Sequence, residues 1–88
     1  MFIRETVITI RESNGLHARP AAELAGLAKR FKSSIVLKCE SKEANARSII
    51  GLLTLGLKKG SVVTLKVEGE DCEEAIRETV NFFEQIHP

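Results

Sequence analysis

Thr6-Val7-Ile8-Thr9-Ile10-Arg11 is followed, after the Ser13-Asn14-Gly15 break, by His17-Ala18-Arg19-Pro20-Ala21-Ala22-Glu23-Leu24-Ala25-Gly26-Leu27-Ala28-Lys29-Arg30-Phe31, and the change of period between the two runs decides the fold. In the first run Thr6, Ile8 and Ile10 share one face and Val7, Thr9 and Arg11 the other, the alternation of a strand with one buried side. Ser13-Asn14-Gly15 reads as a turn. Over residues 17–31, Ala21, Leu24, Ala25, Ala28 and Phe31 keep the i, i+3, i+4, i+7 spacing of a helix face, with Lys29 and Arg30 in the last turn, where positive charge suits the helix dipole.

Working outward, Ser34–Cys39 predicts a second strand with Ile35 and Leu37 inward. Glu40-Ser41-Lys42 predicts a turn into a short strand around Glu43-Ala44-Asn45, and so short a connection requires antiparallel pairing. Residues 48–55 predict a short helix opened by Ser48 and closed by Gly56, although Gly51 weakens it and its isoleucines would also suit a strand. Ser61–Glu68 alternates again, with Val63, Leu65 and Val67 inward. Asp71 and Glu74 have capping-box spacing at the start of a final helix that would bury Ala75, Ile76, Thr79, Val80, Phe83 and Ile86. The order β-α-β-β-α-β-α implies an α+β two-layer open-faced sandwich, a four-stranded antiparallel sheet covered on one side by three helices.

A chain of 88 residues, 43% hydrophobic and 28% charged, is expected to form one domain over residues 1–88. At this size roughly 60–65% of the unfolded surface is buried, which leaves little room for a deep cavity, so a surface site is expected. The longest apolar stretch is far short of the ~20 residues that span a bilayer, so no membrane insertion is expected. Met1-Phe2-Ile3-Arg4 lacks the pattern of a signal peptide, which points to the cytoplasm. Cys39 and Cys72 form no motif and read as free thiols. Residues 1–67 carry twelve Lys and Arg against five Asp and Glu, and residues 68–88 carry one Arg against seven acids, so a basic working surface is separated from an acidic segment. Without Trp or Tyr, and without a basic run, nucleic acid is a poor partner. Zinc-ligand, EF-hand and Walker spacings are absent, and no metal or cofactor is expected. The acidic residues Glu68, Glu70, Asp71, Glu73 and Glu74 read as the negative first turn of a helix, and His87 is assigned no role.

The chemistry concentrates in Gly15-Leu16-His17-Ala18-Arg19-Pro20-Ala21. A helix begins there, and its first N–H groups have no partner inside the helix, which makes an anion site. Pro20 is tolerated because a first-turn residue needs no donor. His17 at the boundary would hold a ring nitrogen over those amides, and Arg19 could add a guanidinium to the same oxygens. Histidine as a residue type titrates near neutrality, so a neutral, nucleophilic form is available. A charge at a helix terminus is stabilised by about 0.3–1 kcal/mol, rising to ~2 when partly buried, moderate enough for a phosphoryl group to leave again. A lone surface histidine before a helix is ordinarily just solvated; turn glycine, His, Arg and first-turn Pro together are not ordinary.

Ser48 is a favoured helix cap in any protein, and the capping box is incomplete because Gly51 follows three residues later. Ile49, Ile50, Leu52, Leu53 and Leu55 are too many apolar groups for one face of so short a helix. The expected exposed set is Ile49, Ile50 and Leu53, adjoined by Leu16 and Ala22, as a docking patch flanked by Arg47 and Lys29.

Gly15-Leu16-His17-Ala18-Arg19-Pro20-Ala21-Ala22 resembles the active-site signature of the HPr family, the histidine-containing phosphocarriers of the bacterial phosphoenolpyruvate:sugar phosphotransferase system. Asn45-Ala46-Arg47-Ser48-Ile49-Ile50-Gly51-Leu52-Leu53-Thr54-Leu55-Gly56 resembles the same family's regulatory serine region, and the likeness extends over essentially the whole chain. The resemblance implies that His17 accepts phosphate on Nδ1 from phosphorylated enzyme I and passes it to enzyme IIA components. It implies phosphate contacts from Arg19, the Ala18 backbone and Asn14, and makes Ser48 a candidate for a serine kinase/phosphorylase. It further implies a carrier without its own turnover; a monomer is the default for a relay that exchanges partners. A regulatory relay inside the family, an amino-acid-sensing module and a small acylphosphatase-like hydrolase are the competing readings; the last needs a glycine-rich phosphate loop that is not found here.

Overall fold

The computed structural model describes residues 2–85. Seven elements follow in the expected order: β1 (Ile3–Thr9), α1 (Ala18–Ala28), β2 (Ser34–Cys39), β3 (Lys42–Asn45), α2 (Ile49–Thr54), β4 (Val62–Glu68) and α3 (Cys72–Gln85). The strands form one sheet in the order β1-β4-β2-β3, with every neighbouring pair antiparallel. The register aligns Thr6, Leu65, Leu37 and Ala44 in one row across all four strands. That row faces the helices, and the core gathers Leu37, Leu65 and Ala44 with Leu24, Ala28, Leu52, Ala75 and Phe83. The adjacent row, Val7, Thr64, Lys38 and Glu43, lies on the other face, where Val7 and Val62 remain exposed. One face is covered and one is open, as the alternation requires.

The antiparallel register also defines two ends. Thr9 pairs with Val62 and Cys39 with Lys42 at one end; Ile3 and Ser34 both pair with Glu68 at the other. The 10–17 and 55–61 connections meet at the first end, and the 29–33 and 69–71 turns meet at the second.

Three local expectations are corrected. The first helix stops at Ala28, with Lys29 as its C-cap, so Lys29 and Arg30 are not in its last turn; Phe31 is buried beyond the helix. Asp71 does not cap α3: its carboxylate accepts instead from the N–H groups of Lys32 (2.9 Å) and Ser33 (2.9 Å) and from the Ser33 hydroxyl. In α3, Ala75, Thr79 and Phe83 are buried, but Ile76 and Val80 only half-buried. Ile86 and His87 lie outside the described residues. Cys72 is buried and Cys39 half-buried, both as free thiols. No helix among the described residues is long and apolar enough to cross a membrane.

Candidate functional site

The loop into α1 is held by a glycine and a leucine. Gly15 has φ +69°, and a side chain there would collide with the Leu57 carbonyl and come within 2.7 Å of the Lys58 Cα. Only a residue without Cβ permits that approach in that conformation. The Gly15 N–H donates to the Glu12 carbonyl at 2.9 Å, closing the turn at Asn14. The next N–H, from Leu16, donates to the Leu57 carbonyl at 3.1 Å. Leu16 itself is 4% exposed and sits in the core cluster. This corrects its assignment to the docking surface: it is an anchor, drawn inward because an apolar side chain next to a fixed backbone contact removes more surface from water inside than out.

His17 follows that anchor and faces solvent. It is the N-cap of α1, with extended backbone (φ −97°, ψ −170°), and its carbonyl accepts from the Ala21 N–H at 2.9 Å. Its imidazole makes no capping bond. The N–H groups of Ala18 and Arg19 have no hydrogen-bond partner among the described residues, and Pro20 has none to offer. The first turn of α1 holds no acidic side chain. The other two helix starts each carry a side-chain compensation: the Ser48 hydroxyl accepts from Gly51 N–H at 3.0 Å in α2, and α3 has Glu73 and Glu74 in its first turn. At the start of α1, two unfilled amides and a dipole without an acidic side chain or side-chain cap lie beside an accessible imidazole.

Arg19 is exposed (side chain 86%), its Nε 4.0 Å from Glu23 Oε2, an i, i+4 pair too solvated to hold it fast. Ala18 and Asn14 are exposed, and the Asn14 N–H donates to Glu12 Oε1 at 3.3 Å. Ser48, the N-cap of α2, is exposed. Ile49 (40%), Ile50 (78%) and Leu53 (41%) form the exposed apolar set, while Leu52 and Leu55 are buried; Ala22 is exposed on α1. α1 packs against α2, and the loop after α2 carries Leu57 to Leu16, so the two sequence blocks are neighbours in space. Arg47 is exposed but partly occupied, its guanidinium donating to the Phe31 carbonyl at 2.6 Å. Lys29 is exposed. Sequence reasoning missed Leu57 and Lys58 as supports of the His17 loop; the one signal that could have found them is Gly15, whose need for close approach names no partner.

The model of the family described as the PTS HPr component phosphorylation site matches residues 4–85. The chain belongs to the HPr family. Among relatives, the phosphocarrier protein HPr of Vibrio cholerae serotype O1 is 42% identical over 83 residues, covering 94% of this chain and 98% of its own length. Among solved structures, HPr-C-His from Thermoanaerobacter tengcongensis superposes with a TM-score of 0.90 at 43% identity, covering 94% of this chain and 93% of that one. Crh, the Bacillus subtilis catabolite repression containing protein, superposes with a TM-score of 0.76 at 37% identity over 92% of this chain and 93% of its own, and is described as a swapping-domain dimer. Membership makes this chain an HPr-type phosphocarrier of the phosphotransferase system.

Proposed function

We propose that His17 is the phosphoryl carrier atom's residue: its Nδ1 lone pair attacks the phosphorus held by phosphorylated enzyme I, the bond from phosphorus to the donor breaks, and the donor leaves with the electron pair. The reverse displacement hands the group to an enzyme IIA component. The observation that supports this best is the exposed imidazole at the uncapped start of α1, with the Ala18 and Arg19 amides unfilled. Those two N–H groups, the Arg19 guanidinium and the polar edge at Asn14 are the phosphate contacts of this reading. Ala22, Ile49, Ile50 and Leu53 form the partner-docking surface, with charge from Arg47.

In this reading the chain is one phosphocarrier domain, cytoplasmic, monomeric and without turnover of its own. β1 completing the sheet of its own chain favours the monomer. Ser48 is both cap and regulatory acceptor: phosphate there adds about −1.5 to −2 charge at the rim of the apolar patch, which opposes an acidic partner. Ser48→Asp should accordingly slow phosphorylation by enzyme I; equal rates for this variant and the parent remove the regulatory role.

The decisive experiment incubates the chain with enzyme I, phosphoenolpyruvate and Mg²⁺ and reads intact mass. An acid-labile, base-stable phosphate adduct, near one per chain, is expected on His17 and absent from His17→Ala. Labelling that survives His17→Ala defeats the proposal. Arg19→Ala should slow transfer while the far-ultraviolet spectrum is unchanged.

A further inference from the structure

We propose that Glu23 is a positioning residue of the carrier: its carboxylate competes with a phosphoryl group on His17 for the Arg19 guanidinium, and so keeps the phosphate easy to release; this rests on the carrier reading above. Over Ala18–Ala28, Arg19 and Glu23 are the only charged side chains. Glu23 Oε2 lies 4.0 Å from Arg19 Nε, and neither residue enters another ion pair among the described residues. The two places where Arg19 can meet an anion lie on either side of it. Ahead of it are the Ala18 and Arg19 amides, open beside the imidazole. Behind it is Glu23, whose Cα follows by about 6 Å along the helix axis. Helical side chains lean toward the N-terminus, which carries the carboxylate back over the Arg19 turn.

The weakness of the pair is what makes it useful. Both side chains are solvated, and Arg precedes Glu, the less favourable order for an i, i+4 pair. Such a pair biases Arg19 by about a factor of two and does not fix it. A tight pair would deny the guanidinium to an arriving phosphate; no pair at all would leave the loaded state more firmly held. Glu23 lies beyond the first turn, which holds no acid, so it draws on the guanidinium without capping the amides. Its surroundings add no second cation within pairing distance: the hollow that it shares with Leu27 and Phe82 is bordered by another acid, Glu78. Glu23 forms no bond to phosphorus and moves no proton. In the delivering step the acceptor's bond to phosphorus forms, the Nδ1–phosphorus bond breaks, and its electron pair returns to the ring. The guanidinium, relieved of phosphate, regains Glu23. That regained pair stabilises the unloaded carrier alone, which favours delivery.

The test reads an equilibrium, which a merely structural role would not move. The parent, Glu23→Gln and a control of equal charge change on α3, Glu78→Gln, are each brought to equilibrium with phosphorylated enzyme I carrying radioactive phosphate. The label on the two proteins is separated and counted at low and high ionic strength, with thermal melts to confirm folding. Glu23→Gln should shift the equilibrium about twofold toward the loaded carrier at low salt. It should coincide with the parent near 1 M salt, where the Debye length is about 3 Å. Glu78→Gln should stay within a factor of about 1.3 of the parent. Arg19→Gln and Arg19→Gln/Glu23→Gln should likewise agree within a factor of about 1.3, because the competition needs the guanidinium. An unshifted Glu23→Gln, an equal shift in Glu78→Gln, or a shift that persists in full without Arg19 overturns the assignment while the carrier reading stands. A parent that takes no label removes both.

Discussion

At the end of the sheet where β4 finishes and β2 begins, Gly69 (φ +150°) lets two turns approach so closely that a Cβ would meet Ser33, and Asp71 fills the neighbouring amides of Lys32 and Ser33 with its own carboxylate. At the opposite end, Gly15 (φ +69°) allows an equally close approach to the Leu57–Lys58 backbone, yet the adjacent amides of Ala18 and Arg19 receive nothing. The same device, a glycine where two turns touch, supports a closed polar network in one place and an open one in the other. Buried or half-buried donors are ordinarily satisfied from within. Exposed donors at the other end are left open to solvent and, in the carrier reading proposed above, to the phosphoryl group.

His17→Asp should have the largest effect, because it closes the open end. An aspartate N-cap can accept from the Arg19 N–H and oppose the α1 dipole, so phosphoryl labelling should disappear altogether while stability rises by about 0.5–1 kcal/mol in urea unfolding. Lost stability together with lost labelling would count against the contrast. Gly69→Ala and Gly15→Ala should each cost about 2–4 kcal/mol, from strained backbone plus collision, measured as a lower denaturation midpoint. If the ends differ in use rather than in construction, the two costs will be similar.

Asp71→Asn opens the closed end. The Ser33 hydroxyl, followed by the Lys32 and Ser33 amides, holds the Asp71 carboxyl below its ordinary value against a small opposing effect of burial. A carboxyl lowered in the folded state contributes stability that is present above its unfolded value and is lost as pH falls through the lowered folded value. Asp71→Asn should therefore be less stable than the parent at neutral pH, and the gap should narrow on acidification, followed by thermal melts across the acidic range. Ser48→Ala, which empties a cap at a third helix start, should cost about 1 kcal/mol by the same denaturation assay.

How far the sequence could foretell this depends on the range of the interaction. The alternation of Ser34–Cys39 and of Val63, Leu65 and Val67 marks strands whatever lies around them, and β2 has the expected bounds. Ser48 and Gly56 likewise punctuate α2 through local backbone chemistry, and His17 is legible because the helix start, Pro20 and Arg19 are its immediate neighbours. The end of α1 was not legible. Phe31 keeps the helical spacing, but the Lys32 amide bonds a carboxylate 39 residues away, and the chain turns to reach it. Leu16 was misread for the same reason: a leucine beside an exposed histidine gives no sign of whether a distant carbonyl will pin it inward.

The alternation of Gly15, Leu16 and His17 has a genetic consequence. The His17 ring, on the residue next to a core anchor, inherits that anchor's packing. A screen that collects transfer-defective but soluble mutants should return lesions at interior positions 16 and 57 as well as at the ring itself, and such alleles would look, on the basis of solvent exposure alone, as if they had nothing to do with the surface reaction.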